Sequence, residues 1–366
     1  MRRFSSFRDF DWMLLTLVVL MSIISVLEIK SATLQTKFRG FDHKQIEFLL
    51  LGLVLMFLIS FIDYHRLLDI GPWAYGIGLF ALVAVALVGT KVMGARRWIN
   101  LGGGVHFQPS EWVKLILIVV IARYFWGLAG RELSWKDIGK AFALVCIPML
   151  LVLKQPDLGT ALTYFPVLVA GLFLGGIRFR QVAILLLGFT VLIGGALLSG
   201  KRLKPYQQAR INSFINPDTD PKGAGYQIKQ SLIAVGSGGL WGKGTNQGTQ
   251  TQGDFLPIPY TDFIFAAFCE EHGFVGGMGI LLLYFLILTR LIQNAQQASD
   301  VPGAFIIMGV VAVILFQILV NIGMVVGLMP VTGIPLPLMS YGGSSILFTF
   351  LSLGIVMNIR MRRFVN

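Results

Sequence analysis

The chain is short of charge. Only 13% of its 366 residues are Asp, Glu, Lys or Arg, against about 25% in a typical soluble domain. That leaves too little polar surface to cover a globule of this length in water. Cysteine is nearly absent too. Cys146 and Cys269 both fall in apolar runs, which reads as packing and excludes a disulfide framework or a thiolate metal site. The four histidines, His43, His65, His106 and His272, show no ligand spacing. No stretch alternates apolar and polar residues over ~10 positions in the manner of a membrane β-barrel strand. A cleavable signal is missing as well: Arg2, Arg3 and Arg8 precede an apolar run of spanning length with no small-x-small site after it. That start is expected to be an uncleaved first helix.

What is present is hydrophobic. Apolar residues make up 55% of the chain, in continuous Leu/Val/Ile/Phe runs long enough to cross a bilayer as helices. The runs predict spans near 12–29, 46–63, 72–91, 111–127, 138–153, 158–175, 181–199, 263–289, 303–328 and 343–359. The expected class is an all-α integral membrane protein of about ten transmembrane helices. It reads as a single polytopic membrane domain over 1–366, with one long loop, 200–262, between helices 7 and 8. An even number of spans puts both ends on one side. Both ends are arginine-rich, with Arg360, Arg362 and Arg363 at the finish, so both are expected in the cytoplasm. The net charge of +12 is then mainly a matter of topology, and no nucleic-acid partner is expected. Several cations nevertheless fall on the outer side. They are either the solvated face of a loop or contacts for an anionic ligand such as a lipid phosphate.

The loop 200–262 is rich in glycine, and Ile228–Val235 within it reads as a short amphipathic piece. It is expected to lie against the outer membrane surface and partly re-enter it. It ends in Leu256-Pro257-Ile258-Pro259-Tyr260-Thr261-Asp262. Thr261-Asp262 is compatible with an ordinary helix N-cap. The next apolar run, however, carries Glu270, Glu271 and His272, and ionisable groups at such depth normally face a cavity or a partner. A hydrated cavity opening outward is the second reading.

Several runs together resemble the SEDS family (shape, elongation, division and sporulation). They are Arg97-Trp98, Gln108-Pro109-Ser110-Glu111 with Lys114, and Gln155-Pro156-Asp157-Leu158-Gly159-Thr160. In the loop lie Asp220-Pro221-Lys222-Gly223-Ala224-Gly225-Tyr226-Gln227, Gly236-Ser237-Gly238-Gly239-Leu240-Trp241-Gly242-Lys243-Gly244 and Gly248-Thr249-Gln250. Thr261-Asp262-Phe263 with Glu270-Glu271, and Ser340-Tyr341-Gly342-Gly343-Ser344-Ser345, complete the series. The glycine-rich loop pattern is similar to the cell-elongation (RodA) type and differs from the division (FtsW) type. His272 departs from the family, which more often has Leu there.

The resemblance implies a peptidoglycan glycosyltransferase. Such an enzyme polymerises lipid II into β-1,4 glycan strands at the outer face of the bacterial cytoplasmic (inner) membrane and releases undecaprenyl pyrophosphate. It works with a class B penicillin-binding protein, the transpeptidase. Asp262 matches the family's essential aspartate, which makes it the expected general base. Lys114 and Glu111, three apart on one helix face, are either a substrate-binding pair or a plain ion pair. Arg97 and Arg210 suit a phosphate, because guanidinium can donate two parallel hydrogen bonds. Arg210, with Lys201, Arg202 and Lys204, alternatively contacts anionic lipid. Asp157 is a further candidate contact or a helix start, and Ser340 begins either a phosphate cradle or a tight turn. Glu270 would line the same cavity. Gln317 and Asn321 read as helix-packing groups. No cofactor is demanded, although Mg2+ or Mn2+ bridging Asp262 and a pyrophosphate is chemically sensible. Two other functions fit an amphipathic cavity: a flippase for the lipid-linked precursor, and a non-catalytic scaffold for a transpeptidase.

Overall fold

The structure is a computed structural model, and it describes residues 9–36, 38–92, 95–100, 106–198, 210, 212–221 and 223–363. Arg2, Arg3, Arg8, Lys201, Arg202 and Lys204 lie outside the described residues. The helices are α1 (Trp12–Thr33), α2 (Phe41–Phe61), α3 (Tyr64–Val88), α4 (Pro109–Trp126), α5 (Trp135–Lys154), α6 (Leu158–Leu162), α7 (Phe165–Leu174) and α8 (Phe179–Leu198). After the long loop, which itself forms α9 (Ala224–Ser237) and α10 (Thr249–Gln252), come α11 (Ile264–Gln296), α12 (Val301–Val325) and α13 (Gly343–Met361). Six of the described helices, α1, α2, α3, α11, α12 and α13, are long and apolar enough to cross a membrane. The protein is a multi-pass membrane protein. Length and composition alone do not fix the number of crossings, because α4 and α5 carry several charges and the run at 158–175 is broken into α6 and α7.

α13 and α12 form the centre. Almost every residue of α13 from Ser344 to Met361 is buried, and α12 is buried along most of its length. α3 and α8 lie at the rim and turn Trp73, Phe80, Phe179 and Leu187 outward, an apolar surface suited to lipid and not to water. α2 sits close on α13. A Cβ on Gly354 would fall 2.7 Å from the Met56 carbonyl oxygen and 2.1 Å from Ile59 Cγ2, so only glycine lets the two backbones approach this far.

At the end of the bundle where α1 begins and α13 ends, charges hold the helices in register. Asp11 is fully buried and takes Arg290 Nε at 2.9 Å, Arg360 Nη1 at 3.3 Å and Asn294 Nδ2 at 2.8 Å. Its other oxygen accepts the Leu14 amide at 3.2 Å and caps α1. One carboxylate thus joins the start of α1 to the ends of α11 and α13.

The opposite end holds the long loop and two features that apolar patterning missed. β1 (Thr90–Val92), β2 (Ala95–Asn100) and β3 (His106–Phe107) make a small antiparallel sheet where only a connecting segment was expected. The second feature is a break in α11. Gly273 has φ +66° and ψ −167°, a conformation open to glycine and costly for other residues. Phe265 and Gly277 would be about 18 Å apart on a straight helix, yet a Cβ on Gly277 would lie 3.6 Å from Phe265 Cζ. α11 is therefore a V: a short arm, 264–272, folds back against a long arm, 274–296. The loop caps the break from both sides. Lys243 N and Gly244 N donate to the carbonyls of Glu270 and Glu271, and Phe274 N and Val275 N donate to Gly239 and Leu240.

We expect Gly354→Ala to lower the thermal unfolding midpoint of the detergent-purified protein, through overpacking that costs about 1–3 kcal/mol. An unchanged midpoint would mean that α2 and α13 separate at no cost.

Candidate active site

Asp262 ends the loop at the foot of the short arm of α11. It does not cap that arm: the N-cap is Phe263, without any side-chain cap bond. The N-cap reading of Thr261-Asp262 is thus set aside by the geometry. The backbone around Asp262 is clamped from three sides. Asn321 Nδ2 donates to Asp262 O at 2.9 Å and to Ile334 O at 2.8 Å. Ser340 Oγ donates to Thr261 O at 2.6 Å, and Tyr341 N donates to Tyr260 O at 2.9 Å. Two non-glycine residues on the clamped segments have positive φ, Ile258 at +49° and Leu338 at +63°. Each costs about 1–3 kcal/mol, so these segments are held by their surroundings and not by local preference.

The Asp262 side chain, in contrast, is half-buried and accepts no hydrogen bond from the described residues. Burial raises its pKa from the ordinary 3.8 to about 6, the nearby Asp157 carboxylate pushes the same way, and Arg210 opposes both. Gly333, φ +73°, leaves the carboxylate room: a Cβ there would sit 3.5 Å from Oδ2.

Asp157 is brought alongside by close backbone packing, since a Cβ on Gly159 would meet Thr332 O at 2.7 Å. Its carboxylate accepts Thr160 N at 3.1 Å, Thr160 Oγ1 at 3.0 Å and Gln108 Nε2 at 3.1 Å. Asp157 therefore does open α6 as a cap, and it remains a charge facing the site. Arg97 Nη1 lies 3.8 Å from Asp157, while Arg97 Nε and Nη2 donate to the carbonyls of Gln155 and Pro156. Arg210 Nη1 donates to Thr332 O at 3.2 Å. The structure thus brings Asp262, Asp157, Arg97 and Arg210 together from four separate parts of the chain.

The profile of the FtsW/RodA/SpoVE family, described as "Cell cycle protein", matches residues 8–364. The chain is a SEDS protein. It is 40% identical to the peptidoglycan glycosyltransferase MrdB of Escherichia coli (strain K12), covering 96% of this chain and 93% of that one. It is 34% identical to the peptidoglycan glycosyltransferase RodA of Treponema pallidum (strain Nichols), over 97% and 98% of the two chains. Among solved structures it resembles, with TM-score 0.84 and 32% identity, a chain from work titled "Structural coordination of polymerization and crosslinking by a peptidoglycan synthase complex". That match covers 97% of this chain and 98% of the other.

Of the other residues expected at the substrate, Lys114, Glu111 and Glu270 are engaged elsewhere in this SEDS protein, and Ser340 stands beside Asp262 as a backbone support. Lys114 is fully buried, 2.7 Å from Glu111 Oε2 and 4.3 Å from the centroid of the Phe348 ring. Its ammonium has no path to a ligand in this conformation, so the pair ties the first turn of α4 to α13. Glu270 accepts Lys243 Nζ at 2.7 Å, Gln250 N at 2.8 Å, Thr251 N at 3.1 Å and the Thr251 hydroxyl at 2.9 Å. Every lone-pair direction is engaged, which makes it the anchor of the glycine-rich loop and not a wall of the Asp262 site. Ser340 accepts Leu336 N at 2.8 Å while donating to Thr261, so its hydroxyl is committed to backbone. Asn321, read from sequence as a packing group, is a support of Asp262. The sign of it was a second amide, four residues after Gln317, in an otherwise apolar helix.

Among the described residues, the His/carboxylate group spaced to hold a metal ion is Glu28, Glu271 and His272, and Asp262 is not part of it.

Lys114→Met leaves Glu111 as an unpaired buried carboxylate, and we expect a loss of about 3–5 kcal/mol. Adding Glu111→Gln should recover most of the thermal midpoint. A double variant no more stable than the single one would show that the two residues do not act as a pair.

Proposed function

We propose that this SEDS protein is a peptidoglycan glycosyltransferase that polymerises lipid II at the outer face of the bacterial cytoplasmic membrane, with Asp262 as the general base. The reaction class is the activity named for its full-length relatives. The observation that carries the residue assignment is the uncommitted Asp262 carboxylate, whose pKa of about 6 brings it near the pH at which a base works best. Asp262 takes the proton of the acceptor sugar's 4-hydroxyl as its oxygen forms a bond to the donor's anomeric carbon. The anomeric carbon–oxygen bond to the pyrophosphate breaks, and undecaprenyl pyrophosphate leaves with the electron pair. Arg210 and Arg97 are the cations available to the pyrophosphate as its charge grows. Clamping of Tyr260–Asp262 by neutral donors keeps the base positioned without using its lone pairs.

A divalent cation fits here only in a limited way. Mg2+ is commonly held by one or two carboxylates with substrate phosphates as the other ligands, and Asp262 offers one free carboxylate. It would supply charge to the leaving group, and the steps above do not depend on it. The basic end formed by Arg290, Arg360, Arg362 and Arg363 supports cytoplasmic termini, and in that orientation the Asp262 site faces outward. The partner is a class B penicillin-binding protein. That reading rests on the similar chain from a complex coordinating polymerization and crosslinking.

With the purified transpeptidase complex and lipid II, we expect Asp262→Asn to reduce glycan polymer at least ~100-fold. Equal polymer from both would remove Asp262 from the mechanism, and lipid transfer between leaflets without polymer would point to a flippase. The base must be ionised, so activity is retained above the pKa and lost as pH falls through about 6, roughly tenfold per unit below it. Arg210 holds the pKa down, so Arg210→Ala should move that acid limb to higher pH. A limb that stays in place in the variant would dissociate it from Asp262.

A further inference from the structure

The tip of the V in α11 meets α1 in a group of side chains that the reaction above does not use. Glu28, on α1, is buried to 1% exposure, and neither of its carboxylate oxygens has a hydrogen-bond partner. Glu271, on the short arm of α11, is equally buried. Its Oε1 accepts the Ser31 hydroxyl, and its Oε2 has no partner. His272 follows, with Nδ1 3.9 Å from Glu28 Oε2 and its ring stacked on Phe268 at 4.3 Å. One ligand atom from each of the three lies within 4.8 Å of the others.

Two buried carboxylates facing each other are unfavourable without a positive charge between them, by several kcal/mol per ion. Lys243, the loop cation in this region, is bound to Glu270 instead. His272 is the one group of the three that reaches the protein surface, at 37% exposure. We propose that Glu28, Glu271 and His272 form a binding site for a divalent transition-metal cation such as Zn2+ or Mn2+, remote from Asp262. The donor set of two carboxylates and an imidazole suits these ions. Metal–ligand bonds of about 2.0–2.2 Å need the donors slightly closer than they stand, within reach of a small side-chain rotation. Surface exposure on the imidazole side leaves the remaining coordination position open.

The site is placed to act as a staple. Ser31, bonded to Glu271, also accepts Asn246 N at 3.2 Å through its hydroxyl and Gln252 Nε2 at 2.9 Å through its carbonyl. A cation here would join α1, the fold-back of α11 and the glycine-rich loop at one point. The short arm it holds is the one that begins beside Asp262.

The test uses the full-length protein in detergent, stripped with EDTA, desalted, and titrated separately with Zn2+ and Mn2+. Bound metal is counted by elemental analysis, and thermal unfolding is followed in parallel. We expect one equivalent of at least one ion and a rise in the unfolding midpoint on its addition. Glu28→Gln and His272→Leu should each weaken binding by roughly tenfold or more and abolish the rise, whereas Asp262→Ala should bind as the unaltered protein does. His272 is half-exposed, so His272→Leu remains the decisive variant should Glu28→Gln fail to fold. Absence of stoichiometric metal, or binding unaltered by His272→Leu, would overturn the site. In that case the two carboxylates share a proton instead.

Discussion

Inside a bundle of apolar helices no water is at hand to solvate a charge, so each inward-facing ionisable group must meet its partner within the protein. Much of this architecture follows from that requirement. Asp11 brings together Arg290 and Arg360 and so sets where α1, α11 and α13 end relative to one another. Glu111 and Lys114 close on each other beneath Phe348. Glu270 collects five donors from the glycine-rich loop. The glycine-rich loop is ordered because a buried carboxylate needs it.

Against that background the carboxylates that are not satisfied stand apart. Asp262 is held through its backbone by Asn321 and through its neighbours by Ser340 and Tyr341, leaving the side chain uncommitted. A catalytic base has to be fixed in position and chemically available at once, and neutral donors aimed at peptide carbonyls achieve both. The strained φ of Ile258 and Leu338 belongs to the same arrangement, since those segments take their shape from the clamp. Glu28 is unsatisfied in another way, sealed from solvent beside a second carboxylate, and the chemistry that would relieve it is that of a cation.

Much of the fold was legible along the chain. Apolar runs marked α1, α4, α5, α8, α12 and α13 to within a few residues, because a membrane span must be both long and continuous, whereas α2 and α3 begin well before the expected 46 and 72, at Phe41 and Tyr64. The amphipathic stretch Ile228–Val235 lies within α9. Asp262 stood out by its place at a loop end before a helix with further carboxylates. The break at Gly273 was not legible: Gly276, Gly277 and Gly279 follow it and stay helical, and nothing local distinguishes a tolerated glycine from a reversal. The small sheet between α3 and α4 is made of short strands that carry Lys91, Arg96 and Arg97 and show no clear alternation. Lys114 and its partner Glu111 could be read from their spacing of three, whereas the partners of Glu270 and Ser340 could not.

The sequence by itself determined that this is a helical multi-pass membrane protein of the SEDS family, and it marked the carboxylate on which a reaction would turn. Both kinds of information are local: hydropathy needs only a window of residues, and a family's motifs need only their order. Tertiary structure alone decided which polar groups meet. Ser31 and Glu271 are 240 positions apart in the chain, Asn321 supports a carbonyl 59 positions away, and Gln108 reaches Asp157 across 49. Such pairings are set by how helices pack once their apolar faces are buried, and no periodicity along the chain encodes them.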